Sequence, residues 1–169
     1  MSAIAFEFAA RGPDMPAMTI NWYDGVKNQP PRPKCLKKGR NVPRCGKVIY
    51  SDELTFMGGT HGDTLRVIPE EEMRELAPDL PKIPSGDTSR NHMHNFLRAA
   101  AGKDPRCNSS FDVAAPLTQV FMLGCIAQRL GENFKFDPEK KVITNNKRAN
   151  ELLKGPPPRK GWEEFYKMV

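Results

Sequence analysis

One run constrains this chain more than any other. Asn95-Phe96-Leu97-Arg98-Ala99-Ala100-Ala101-Gly102, the short link Lys103-Asp104-Pro105, and Ser110 through Arg129 read as helix, tight loop, helix. Gly102 supplies a left-handed stop and Pro105 forbids continuation, while Asp112 is placed to cap a second helix whose first turns carry Pro116. Met93, Phe96, Leu97 and Ala100 form the expected apolar stripe of the first helix, which starts near Asp87 or Thr88. Leu117, Val120, Phe121, Gly124 and Leu130 form that of the second. Cys125 is expected as a small core residue of that second helix. Two such stripes need a common surface to cover them.

The strands that could provide it are short. Ile4, Phe6 and Phe8 alternate with Ala5, Glu7 and Ala9, and Met18, Ile20 and Trp22 alternate with Thr19, Asn21 and Tyr23, the period of two that buries one face. Arg11-Gly12-Pro13-Asp14 links them as a hairpin. Lys47-Val48-Ile49-Tyr50, Leu54-Thr55-Phe56-Met57 and Thr64 to Ile68 read as three more, separated by Ser51-Asp52 and Gly58-Gly59. Pro69 ends the last, and Glu70 to Leu76 makes a short helix with acids in its first turn, where the dipole favours them. Pro78, Pro81 and Pro84 predict an extended crossing to the first long helix. Phe134 and Phe136 pair with Val142 in a hairpin turned at Asp137-Pro138, and a short helix follows around Ala149 to Leu153. The sum is an α+β fold: a mostly antiparallel, open-faced sheet with helices packed on one face.

Composition narrows the class. A chain of 169 residues suits one domain with its own core, and its formal net charge of +6 is concentrated in one place. Lys27, Arg32, Lys34, Lys37, Lys38, Arg40, Arg44 and Lys47 lie between Asp24 and Tyr50 with no acid among them, which leaves 18 bases against 20 acids elsewhere. Residues 25–46 also hold Pro30, Pro31, Pro33 and Pro43 and little apolar surface to offset the entropy of ordering, so they read as a basic, Pro-rich surface loop. Clustered cations can neutralise phosphates, but no aromatic residue lies from Gly25 to Lys47 to stack on bases and no nucleic-acid motif accompanies them, which argues against nucleic-acid binding and for a solvated loop, or one that touches another subunit or an anionic substrate. There is no run of about 18 apolar residues for a membrane span, and no signal-like opening after Met1. The compartment is left open. Cys35, Cys45, Cys107 and Cys125 lack C-x-x-C spacing; Cys35 and Cys45 could close a loop disulfide only in an oxidising compartment. His92 and His94 are two apart, on different faces of a helix, so no shared metal is expected. The absence of G-x-S-x-G and of a convincing acid pair argues against a self-sufficient hydrolase.

Several quoted runs together resemble the C-terminal domain of the glucose–fructose oxidoreductase and inositol dehydrogenase (Gfo/Idh/MocA) family. They are the helix pair with Pro116-Leu117-Thr118, then Phe134 to Asp137, Val142 to Asn145, Ala149 to Leu153 and Arg159-Lys160-Gly161-Trp162. Ala10-Arg11-Gly12, Met15-Pro16 and Trp22-Tyr23-Asp24-Gly25 fit the same subgroup, so the resemblance spans nearly the whole chain. It implies that residues 1–169 are the substrate-side and oligomerisation domain of an NAD(P)-dependent dehydrogenase acting on a sugar, cyclitol or related polyol. The family's Rossmann domain would be a partner outside this chain, and the open sheet face would make the homo-oligomer contact. The residues here depart from a whole enzyme. No G-x-G-x-x-G is present, Gly58-Gly59-Thr60-His61-Gly62 has the wrong spacing, and Glu139-Lys140-Lys141 lacks the proline of the family's Glu-Lys-Pro segment. Asp87 to His92 is one residue too long, with no preceding glycine pair, for its catalytic histidine segment. The chain is therefore expected to hold no cofactor and no catalytic residue, and to be inactive alone; NAD or NADP would belong to the parent enzyme. An alternative is a stand-alone, non-catalytic interaction module derived from such a domain.

Candidate substrate contacts follow. Trp22, Tyr23 and Asp24 place aromatic rings beside a carboxylate, a set that can stack on a sugar and accept its hydroxyl protons; the plainer reading is a strand end packed under the basic loop. His92 and Asn95, near the start of a helix, can reach a ligand or serve capping and core contact instead.

Overall fold

A computed structural model describes residues 1–60, 64–81 and 92–167. The fold is α+β with antiparallel pairing, and its strands divide among three small sheets of two, three and two strands. Two compact units emerge: Met1–Ala3 with Trp22–Thr88, and Ile4–Asn21 with Ser89–Val169. Strands β1 (Ser2–Phe8) and β2 (Met18–Asp24) pair as a ribbon. Along β1 the alternation holds, with Ile4, Phe6 and Phe8 half-buried and Ala5 and Glu7 exposed. Along β2 it fails: Met18, Ile20 and Trp22 are exposed.

In the first unit, β3 (Lys47–Tyr50), β4 (Thr55–Gly58) and β5 (Arg66–Ile68) form an antiparallel meander, with Ile49 opposite Phe56 and Phe56 opposite Val67. The turn after β3 closes on Ser51, whose hydroxyl accepts the Leu54 N–H at 3.1 Å while the Ser51 N–H donates to the Leu54 carbonyl at 2.9 Å. Helix α1 (Glu70–Leu76) carries Glu70, Glu71 and Glu72 in its first turn and packs against β5, whose Val67 and Ile68 are buried.

The segment 25–46 is more ordered than its composition predicts. Leu36 is only 5% exposed, and the Arg32 guanidinium donates to the carbonyls of Leu36, Lys37 and Arg40. Lys37 pairs with Glu71, and Arg40 with Glu70 at 3.0 Å, which moors the segment to α1. Polar cross-links to backbone thus take the place of the missing apolar surface.

In the second unit, α2 (His92–Ala100) leads through the turn at Gly102 (φ 69°) to α3 (Phe111–Leu130), which a left-handed Gly131 ends by donating to Ala127 at 2.8 Å. The residue at the N-cap of α3 is Ser110, in extended conformation; Asp112 lies inside the first turn, so it does not cap the helix. Pro116 sits within the helix, where it cannot donate to the preceding turn. The packed face of α3 is Leu123, Gly124 and Ile126, with Val120 and Leu130 half-buried, while Leu117, Phe121 and Cys125 are exposed. The expected stripe was therefore rotated, and Gly124 explains the direction: a Cβ there would lie 2.8 Å from the Phe6 ring, so the helix approaches β1 through its glycine. On α2, Met93, Phe96 and Leu97 are exposed and the buried residue is Asn95. The start expected near Asp87 or Thr88 lies outside the described residues, as does Pro84 of the expected crossing.

The tail closes the core. Leu123, Ile126, Ile143 and Ala149 cluster, with Leu130, Phe134, Phe136, Leu152 and Leu153 packed around them. Strands β6 (Phe136–Asp137) and β7 (Val142–Ile143) are turned by Asp137, whose Oδ1 accepts the N–H groups of Glu139 and Lys140. Helix α4 (Lys147–Lys154) is capped by Asn146, which accepts from Ala149 at 2.9 Å, and Asn150 accepts from Ile143 at 3.1 Å. Beyond it, Arg159 lies over the Trp162 ring at 5.5 Å, and Trp162 meets Phe165 at 5.4 Å.

Helix α3 is, by length and composition, long and apolar enough to cross a membrane. This corrects the expectation that no such run is present, which the polar residues Asp112, Thr118, Gln119 and Gln128 within it had suggested.

Candidate functional site

The sequence candidates fall in different units. Trp22, Tyr23 and Asp24 end β2 in the first, while His92 and Asn95 lie on α2 in the second. Strand geometry divides the first group: Trp22 and Asp24 point to one face and Tyr23 to the other. The face with Trp22, which is 49% exposed, and the exposed Asp24 carboxylate offers one ring for stacking and one acceptor for hydroxyls. Tyr23, half-buried, turns toward a different neighbourhood that includes Tyr50 and Cys35. There, burial raises the Tyr50 hydroxyl above its ordinary 10.0, with negative charge on Cys35 and Tyr23 adding to the effect. Local structure holds the strand end in place: Gly25 (φ 110°) turns the chain against Met1, and the Asn28 amide donates to the carbonyls of Ser2 and Asp24.

On α2, His92 is exposed, whereas Asn95 spends its amide internally. Its oxygen accepts the Asn108 N–H at 2.8 Å and its nitrogen reaches Asp104 at 3.5 Å; Arg98 grips the same Asp104 carboxylate at 2.9 Å and 3.0 Å. His94 is exposed as well.

Among the described residues no group of three or more His, Cys, Asp or Glu side chains is arranged to hold a metal ion, and all four cysteines, Cys35 and Cys45 included, are free thiols. A further feature escaped the sequence reading. Gln29, Pro30, Arg32, Asn41, Val42 and Arg44 line an open groove of about 380 Å³ within the basic segment. The signal for it was the charge run itself, but nothing in the spacing told which arginine would be spent on backbone and which would face a groove. No family model matches the chain, nor does any curated protein or any solved structure.

Proposed function

We propose that this chain is the substrate-side and oligomer-forming domain of an NAD(P)-dependent oxidoreductase acting on a sugar, cyclitol or related polyol, and is not catalytic by itself. The observation that carries the reading is the series of family-like runs from Arg11 to Trp162 together with the missing glycine-rich turn and Glu-Lys-Pro lysine. Surface chemistry supports it. Met93, Phe96 and Leu97 on α2 and Phe111, Leu117, Phe121 and Met122 on α3 stand exposed, which suits a domain whose apolar helices meet a Rossmann partner. Met18 and Ile20, exposed on one face of β2, suit a contact with a second copy. On this reading Trp22 stacks on the polyol ring and Asp24 accepts its hydroxyl protons, while hydride and proton transfer belong to groups outside the chain.

Calorimetric titration separates the assigned roles. NAD and NADP should give no binding heat with this chain, and micromolar affinity for either would overturn the division of labour. In a Trp162→Phe background, myo-inositol or glucose should alter the fluorescence of the remaining Trp22, and Asp24→Ala should abolish the response. An unchanged spectrum at saturating polyol would remove Trp22 and Asp24 from the substrate wall.

A further inference from the structure

We propose that the groove in segment 25–46 is an anion site that takes the phosphate of a small phosphorylated ligand. The inference does not rest on the oxidoreductase reading. It starts from charge that the fold leaves uncompensated. Of the eight cations between Asp24 and Tyr50, Lys37 and Arg40 are discharged on Glu71 and Glu70. Lys27, Lys34, Lys38 and Arg44 have no side-chain hydrogen bond or ion pair among the described residues.

The groove gathers that surplus. Its lining holds two guanidinium groups, Arg32 and Arg44, and two amides, Gln29 and Asn41, with no carboxylate among the described residues. Among the described residues the Gln29, Asn41 and Arg44 side chains make no hydrogen bond or ion pair, so their donors are open to an oxyanion. Arg32 differs: its fork is committed to the Leu36, Lys37 and Arg40 carbonyls, so it contributes charge and fixes the wall. That fixation holds the backbone on which the unspent side chains stand, so binding has to order only those side chains. Arginine beside amides matches the planar, multidentate recognition of phosphate oxygens. Pro30 and Val42 add apolar wall for a carbon skeleton.

Size and composition select the ligand class. A groove of about 380 Å³ is on the scale of small-molecule sites. A nucleic acid would need bases to stack, and no aromatic residue lies from Gly25 to Lys47.

The test titrates the chain at low salt with glucose 6-phosphate, glucose, inorganic phosphate and a thymidine oligonucleotide, following backbone amide shifts. Glucose 6-phosphate and inorganic phosphate should saturate and move the amides of residues 29–44, and glucose should not. Arg44→Glu should weaken phosphate binding by more than about tenfold through lost charge-assisted contacts. Lys160→Glu, a charge reversal in the other unit, should leave it unchanged. An Arg44→Glu chain with a wild-type melting temperature and wild-type affinity would overturn the proposal. So would no saturable shift by about 10 mM ligand, or an oligonucleotide that binds more tightly than glucose 6-phosphate and loses that binding with Arg44→Glu.

Discussion

The Asn95 amide helps hold the link between α2 and α3: its oxygen takes the Asn108 N–H, and its nitrogen joins Arg98 at the Asp104 carboxylate. Asn95→Ala strands a backbone donor and part of a carboxylate in a shielded place, so urea unfolding should give a stability loss of about 1–3 kcal/mol. That role was half legible. The sequence marked Asn95 as a polar residue near a helix start, suited to ligand or to packing, but the distance to Asn108 is a property of the folded loop. Glu71 makes a second residue-scale case. The hydrogen bond from Lys37, and then its own N–H, hold its carboxyl below the ordinary 4.5. A depressed acid stabilises the fold above its unfolded value, and that contribution is lost as pH falls through the folded value. Wild type and Glu71→Gln should therefore differ in melting temperature at pH 7 and converge as the pH drops below the carboxylate range. A gap that widened in acid would reverse the assignment.

Among the elements, α3 teaches most. Its existence, the hairpin turned at Asp137-Pro138 and the short helix after it were readable from the sequence, whereas the Gly131 stop and the Asn146 cap emerged only in the folded chain. Its rotation was not, because an almost uniformly apolar helix carries no strong polar face to point outward. Close approach decided the matter, since only Gly124 admits the Phe6 ring. The consequence is measurable by paired truncation. Leu123→Ala should cost about 2–5 kcal/mol as a core cavity, and Phe121→Ala, at 45% exposure, under about 1.5 kcal/mol. Equal losses would restore the face centred on Phe121. The segment 25–46 is the mostly exposed, irregular basic loop expected, but its internal cross-links were not legible for a related reason: composition counts side chains, whereas Arg32 ties that segment by donating to carbonyls that every residue possesses.

At the scale of the molecule, the antiparallel α+β class followed from short alternating runs, while the division of strands among three sheets depended on pairings that local pattern does not encode. The exposed Met18 and Ile20 of β2 bear on assembly. Sedimentation equilibrium should find a dimer or larger species, and Ile20→Glu should shift the distribution toward monomer. A chain that remains monomeric at about 100 μM would remove the homo-oligomer from the proposal. The bare side of α3, with Phe111 88% exposed, has a thermal corollary. Attraction between wet hydrocarbon surfaces grows on warming from the cold, so a concentrated solution of this chain should cloud when heated well below its melting point and clear again on ice.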